Sequence, residues 1–415
     1  MKTHSHFLPF SAVVLSGLFF ANSANADIDK TVEDALKFGD GGAVKFDLNY
    51  RWENVDRDAG ADKTANANTI RTRIGVLSPK FMGFQGFAEY EGNHALQADY
   101  NDGPRNNKPA FSSVADPAQN ELNQLWISYS AFDTVVKGGR QRIKLDDDRF
   151  IGNVGWRQME TTYDAVLVTN NSLKNLTVNA GYIGNVQTFL STTENIDAPI
   201  VNINYKLGDY GNLIGYGYWL DYTESENNVP RNIANNKSSQ TQGIRLNGAT
   251  PKIYEHYNLL YTAEWSIQQD YGHRQNSFEA HRYNVMSGFN AYFLTFQGAM
   301  EQLNGNGSDA FNTPLGTNHA FQGWADLFLS TPLNGIRDVF GTVSAKVLDD
   351  SLTVSGVYHD YTDDTGNISY GKEWDFQAVK KFGKHYSVLA KYANYEADTQ
   401  ATDTQKIWLQ GNVSF

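Results

Sequence analysis

The sequence predicts an all-β protein, an 18-stranded antiparallel transmembrane β-barrel with short periplasmic turns and long extracellular loops. Three observations carry this expectation. They are an export signal, a composition rich in aromatics yet polar on average, and ten-residue segments of alternating polarity whose links alternate in length.

The export signal comes first along the chain. Lys2, with His4 and His6, precedes an apolar run from Phe7 to Ala21, and Asn22-Ser23-Ala24-Asn25-Ala26 supplies a small-residue cleavage site. Residues 1–26 read as a secretory signal peptide cut before Asp27. The run is too short to serve comfortably as a membrane anchor. Its removal takes away one lysine and no acid, which moves the formal charge from −12 to −13. Residues 27–42 then form a periplasmic segment, in which the amphipathic stretch Ile28–Phe38 is expected as a short helix. Residues 43–415 are left for the barrel.

Composition narrows the class. There is no cysteine, so neither disulfides nor thiolate metal sites are available. Aromatics reach 13 %, with 23 Tyr and 24 Phe beside 36 Gly and 10 Pro, while mean hydropathy is −0.49. A strand that is apolar only toward lipid gives this combination, because aromatic girdles raise Tyr and Phe while the lumen face stays polar. The competing class is a large soluble β-protein, such as a secreted lectin or polysaccharide lyase.

Alternating segments follow in order at 43–52, 69–78, 83–92, 122–131, 133–142, 163–172, 175–184, 199–208 and 212–221. They continue at 239–248, 257–266, 282–291, 293–302, 336–345, 352–361, 372–381, 387–396 and 406–415. Each is about the ten residues that a tilted strand needs to cross a bilayer. A further segment, 321–329, spaces Trp324, Leu327 and Phe328 at helical intervals before Ser330-Thr331-Pro332, and is expected as a short helix within a loop. Links after odd strands are long, as at 53–68, 93–121, 143–162, 185–198 and 303–335. Links after even strands are short, as at Lys80–Met82, Phe132 and Tyr292, with 249–256 intermediate. A soluble sandwich has no reason to sort its loops this way.

The terminal segment KIWLQGNVSF puts Ile407, Leu409, Val413 and Phe415 on one parity and Lys406, Gln410, Asn412 and Ser414 on the other. Trp408 breaks the pattern. A closed barrel pairs its last strand with its first, leaving no edge in lipid. Phe415 is expected at the membrane interface as a signal read by the barrel-assembly machinery.

Parity also assigns the lumen. In the first strand Val44, Phe46, Leu48, Tyr50 and Trp52 face lipid, so Lys45, Asp47, Asn49 and Arg51 face inward. By the same argument Arg71, Arg73, Arg245 and Arg282 point into the barrel, joined by the acids Asp47, Glu264, Glu373 and Asp375. Arg140 and Arg142 share a parity with both Gly138 and Val136, which leaves their direction open. Inward charges of both signs either brace the wall or form a selectivity ring, since arginines favour anions and grip carboxylates bidentately.

The stretch Gly138 to Ala165 carries Gly139-Arg140-Gln141, Asp147-Asp148-Arg149-Phe150, Gly152-Asn153, Trp156-Arg157 and Tyr163-Asp164. It resembles the alginate-export family of outer-membrane barrels. Phe46-Asp47-Leu48-Asn49-Tyr50-Arg51, Leu333-Asn334-Gly335-Ile336-Arg337-Asp338 and Val357-Tyr358-His359-Asp360 are similar to family segments too. The resemblance implies eighteen strands, an arginine-bearing loop folded into the pore, and movement of anionic polysaccharide or related solutes. It makes Arg140, Arg142, Arg149 and Arg157 lumen candidates. Asp146, Asp147 and Asp148 depart from that picture by offsetting the local arginines.

The expected function is an outer-membrane channel of a Gram-negative bacterium for small hydrophilic, anionic or saccharide solutes, with a weak anion preference set by the arginines. Outer-membrane lipid and the assembly machinery are the expected partners, the chain works as a monomer, and no cofactor is implied. Asp146–Asp148 raise calcium as an alternative to a salt-bridged loop, but the alternating acids of an EF-hand are absent. A barrel sheathing a periplasmic partner is the second functional class. A barrel-embedded hydrolase is the third, though neither HExxH nor GxSxG occurs. No basic patch suggests nucleic acid.

Overall fold

The computed structural model describes residues 25–415 apart from 59–62, 104, 226–236 and 275. The expected signal peptide lies outside the described residues except for its last two positions. These begin helix α1 (Asn25–Ala35), and a two-residue strand at Lys37–Phe38 follows. Asp29, Val32, Glu33 and Leu36, at helical spacing, are the half-buried face of this segment.

Eighteen strands form the wall. They are β1 (Gly42–Arg57), β2 (Ala65–Leu77), β3 (Phe84–Asp99), β4 (Gln119–Ala131), β5 (Thr134–Gln141) and β6 (Thr162–Asn170). Next are β7 (Leu176–Gln187), β8 (Thr193–Lys206), β9 (Asn212–Ser225), β10 (Ser239–Ala249), β11 (Tyr257–Gln269) and β12 (Glu279–Ala291). The last are β13 (Leu294–Leu303), β14 (Ile336–Val347), β15 (Leu352–Thr362), β16 (Ser369–Phe382), β17 (Tyr386–Ala397) and β18 (Thr404–Ser414). Each pairs antiparallel with its neighbours in the chain. The barrel closes because β18 pairs with β1 from Thr404 opposite Arg57 to Ser414 opposite Asp47. Phe415 completes the seam by exchanging backbone hydrogen bonds with Phe46 at 2.9 and 3.0 Å.

The outer wall is apolar, with Ile74, Val76, Leu125, Ile127, Val166, Val285 and Val343 all exposed. Aromatics crowd the short-turn end. Phe81, Phe132, Tyr210, Tyr254, Tyr292 and Phe293 are exposed in or beside those turns, where amphipathic rings suit a membrane interface. The two-residue turn Phe132-Asp133 has φ of +50° and +54°, the doubly positive pair of a type I′ hairpin that matches strand twist.

Several strands run past their expected ends, so the link expected at 185–198 shrinks to the five residues between Gln187 and Thr193. The helix expected at 321–329 is absent. Gln322, Gly323 and Asp326 have positive φ, which a right-handed helix cannot accommodate. The backbone N–H groups of Trp324 and Ala325 are instead bound by the Asp375 and Glu373 carboxylates at 3.1 and 2.6 Å. The apolar spacing that suggested a helix belongs to a segment folded into the barrel, with Phe328 packed between Tyr361, Tyr370 and Tyr395.

Candidate translocation path

Two long loops turn inward and meet. Loop A (142–161) follows β5, and loop B (304–335) follows β13. The Gly152 N–H donates to the Leu315 carbonyl at 2.9 Å, the Thr317 N–H to the Asp148 carbonyl at 2.8 Å, and the Thr317 hydroxyl accepts from the Val154 N–H at 3.0 Å. Trp156 of loop A stacks on His319 of loop B with ring centres 4.2 Å apart and planes 3° from parallel. Together the loops narrow the lumen.

Loop A is held to the wall by charge. Arg157 bridges Glu53 of β1 at 2.9 Å and Asp326 of loop B at 3.0 Å, with Asp116 at 3.8 Å. Arg149 donates to Glu301 of β13 at 3.0 Å and to Asn318 and Gln322 of loop B at 3.1 and 2.9 Å. Glu160 binds Arg142 and lies 3.7 Å from Arg73. Burial works to raise the Glu160 carboxyl, but these two guanidinium groups hold it down at about 2. Its remaining lone pairs accept from Asn123 and Asn153, both at 2.6 Å. Such buried charges are tolerable only when paired and hydrogen-bonded.

The wall arginines are committed in the same way. Arg51 lies against Asp116 at 3.4 Å and donates to the Trp156 carbonyl, and Arg71 pairs with Asp47. Arg73 pairs with Glu91, Arg245 with Asp147, and Arg282 with Glu264 at 3.0 Å and Glu301 at 2.5 Å. A bulge opposite Glu89–Tyr90 turns both Asn123 and Gln124 inward, where they donate to Glu89 at 2.8 and 2.9 Å. The three loop aspartates diverge. Asp146 accepts from Asn202, Asp147 faces Arg245, and Asp148 pairs with Lys144 at 2.8 Å. Among the described residues no group is arranged to hold a metal ion.

Parity therefore placed Arg51, Arg71, Arg73, Arg245 and Arg282 in the lumen, and Arg142, Arg149 and Arg157 join them through loop A. Arg140 is a correction. It stands on the parity of the exposed Val136, opposite Leu125 of β4, and makes a two-pronged ion pair with Asp164 of β6 at 2.8 Å. Asp164 shares its face with the exposed Val166. The pair thus belongs to the outer wall. Arg142 escapes the same fate because it lies beyond Gln141, the last residue of β5, where the two-residue period no longer governs.

A long loop at 303–335 was expected, but not its course into the lumen or the groups that bind it there. Lys391 of β17 donates to His319 Nε2 at 2.8 Å, and the opposite ring nitrogen donates to Asp326 at 2.6 Å. The ammonium also lies 3.7 Å from the centre of Trp324 and 4.3 Å from that of Trp156, within cation–π range. Burial pushes the His319 imidazole down to about 3, so it is neutral at pH 7. Asp326 also receives Lys406 at 3.1 Å. Trp408, the exception in the terminal strand, is fully buried and packs edge-on against Trp156 at 5.8 Å. Its break from the alternation was the signal that the lumen holds an apolar surface to meet it.

A cavity of about 510 Å³ opens on the long-loop side of the two loops and one of about 450 Å³ on the short-turn side. The outer cavity is charge-matched. Its cations Arg157, Lys237 and Arg274 pair with Asp326 at 3.0 Å, Glu194 at 2.7 Å and Asp309 at 2.5 Å. The inner cavity is lined by Lys45, Arg73, Lys137 and Arg142 against Asp47 and Glu89.

The sequence profile of the alginate export family matches residues 43–323. Among solved structures, OpdQ of Pseudomonas aeruginosa superposes with a TM-score of 0.69 at 14 % identity, covering 90 % of this chain and 99 % of that one. OccAB2 of Acinetobacter baumannii gives 0.69 at 15 % identity over 91 % of this chain and 99 % of that one. P. aeruginosa OpdK with vanillate gives 0.67 at 13 %, covering 90 % and 98 %. At these identities the likeness establishes a shared architecture. No curated protein matches the chain.

Proposed function

The chain belongs to the alginate export family, and on that premise we propose that this outer-membrane, porin-like barrel lets small hydrophilic solutes diffuse through it passively, at a constriction made by loops A and B. The observation that carries this reading is a polar, ion-paired constriction with a cavity on either side, inside a wall whose outer face is apolar. Neither family nor structural neighbours are enzymes, and we read this chain as a channel rather than a catalyst. The lumen arginines are too fully engaged to act as a free anion ring, so an anionic polymer does not follow from them.

Purified full-length protein in a planar bilayer should give steady ohmic steps, and its proteoliposomes should swell in small saccharides. Silence from folded protein would sink the pore. That outcome would favour the second reading, a loop-filled barrel bracing a periplasmic partner. One feature supports the latter: the buried apolar cluster runs unbroken from wall residues such as Tyr216 and Tyr361 to Phe150, Phe311 and Phe328 of the loops. Sizing in mild detergent tests the monomer, which a stable trimer would exclude.

A further inference from the structure

We propose that the N-terminal segment is a clasp: α1 and the strand Lys37–Phe38 bind the chain's own closing strands, lock the seam and mask the terminal Phe415. The inference does not depend on the channel reading, since it concerns how the barrel is shut. Its basis is the short-turn end of the seam, where β1 is longer than the strand that closes on it.

β18 ends too soon to cover β1. Ser414 stands opposite Asp47 and Phe415 bonds to Phe46, while β1 begins at Gly42. On its other side β1 is paired down to Ala43 opposite Leu77. Gly42 to Val44 would therefore leave an open edge toward the seam, and such an edge is a template for foreign strands. The chain's own N-terminal segment takes that place. Lys37 pairs with Ala43 and Phe38 with Gly42. The Phe46 N–H donates to the Phe415 carbonyl at 3.0 Å, and two residues earlier the Val44 N–H donates to the Leu36 carbonyl at 2.8 Å. One row of donors thus passes from the end of the chain to its beginning.

The turn between these two pieces is shaped for the task. Gly39 and Gly41 have φ of +57° and +74°, and a side chain on Gly42 would strike the Phe38 carbonyl. The Asp40 carbonyl accepts from the Lys80 N–H at 2.8 Å, which fixes the turn to the one between β2 and β3. From there α1 reaches the other flank of the seam. Asp29 accepts from the Tyr386 hydroxyl of β17 at 2.9 Å, and Glu33 accepts from His385 Nε2 at 2.7 Å. His385 Nδ1 donates to the Ser414 carbonyl at 2.6 Å, and its ring covers one face of Phe415. Phe415 thus spends its backbone on Phe46 and its ring on a histidine that α1 holds in place. Local opening starts most readily at chain ends, and this seam joins both of them. The clasp needs β1 and β17 in position together, so Phe415 is free before the barrel closes and covered afterwards.

The test is release of Phe415 from the folded full chain in mild detergent by carboxypeptidase A, followed by intact mass. Wild type should resist. Asp29→Ala with Glu33→Ala should speed release about fivefold, as expected for losing two part-exposed polar contacts, and should lower the unfolding temperature. Lys30→Ala, on the exposed face of α1, should change neither. Heat-modifiable mobility checks folding, and Glu33→Gln alone serves if the double variant fails to fold. The chain has no cysteine, so Asp29→Cys with Tyr386→Cys gives a unique pair for a short bifunctional maleimide. Joining that pair should slow release below the rate of the unjoined variant. Equal release from wild type and the α1 variants, or a pair that does not join in folded protein, would overturn the proposal.

Discussion

The two cavities of this barrel contain the same kinds of side chain and use them differently. In the outer one Arg157, Lys237 and Arg274 each meet an acid of their own. In the inner one Lys45 and Lys137 meet none among the described residues. Counting charges along strands cannot reveal this, because a guanidinium gripped by a carboxylate contributes little field beyond a few ångströms. The arginines that look most like a selectivity ring are largely structural, tying loops to wall.

Breaking the outer arrangement should have the largest effect. Arg157→Gln leaves Glu53, Asp116 and Asp326 short of a cation in a buried site. Removing one partner of a buried pair typically costs ~3–5 kcal/mol, enough to release loop A from loop B. The expected result is larger, noisier conductance, a lower unfolding temperature and a reversal potential moved toward cations in a salt gradient. Unchanged traces and melting would show that Arg157 neither anchors the loop nor shapes the field.

At the inner rim Phe415 stacks on His385 with centres 4.2 Å apart and planes 11° from parallel, and His385 Nε2 in turn donates a hydrogen bond to the Glu33 carboxylate of α1 at 2.7 Å. Phe415→Asp removes a contact worth ~0.5–1.5 kcal/mol and puts a charge at the seam where β18 meets β1. We expect less heat-modifiable barrel in the outer membrane at normal secretion. Normal folded levels would remove the assembly role proposed for this residue.

A smaller effect is expected from pH. The His319 imidazole is pushed by burial from 6.5 to about 3, so the unfolded loop takes up a proton that the folded one refuses. The His319 contribution to loop B attachment should therefore weaken as pH falls from about 6.5 toward 3 and stay constant above that window. Asp146 tilts the other way, since burial raises its carboxyl to about 6 and its ionisation opposes the fold as pH rises. Comparing His319→Asn with wild type cancels the Asp146 contribution. Parallel curves of unfolding temperature against pH would refute the His319 assignment.

Much of the wall was legible because its physics is local. A period of two with alternating link lengths suffices to count strands and to place Arg51, Arg71, Arg73, Arg245 and Arg282. The loops were not legible to the same degree. Loop B has no repeating backbone, and its course is set by Asp375 and Glu373 capturing the Trp324 and Ala325 amides from a strand 48 or more residues away. Trp408 carried a usable hint, since one large aromatic on a polar face needs an apolar partner inside. Lys391 could have been found by parity with Ala393 and Tyr395, both buried. That it is caged by Trp156 and Trp324 could not, because both rings arrive from loops.

Arg140 sharpens the contrast by lying on neither side of it. Its residue type and its neighbourhood in the sequence match those of Arg149 and Arg157, yet it stands on the outer wall, paired with Asp164. In that position it is separated from the lumen by the sheet, and its charge is cancelled by a two-pronged carboxylate. Replacing both members, Arg140→Gln with Asp164→Asn, removes the pair without leaving a lone charge toward lipid. Reversal potential and conductance should then match wild type, while the single Arg140→Gln change, which strands an acid on the wall, should lower unfolding temperature modestly. A shift in selectivity in the double variant would place Arg140 back on the solute path and would mean that β5 turns its side chains the other way.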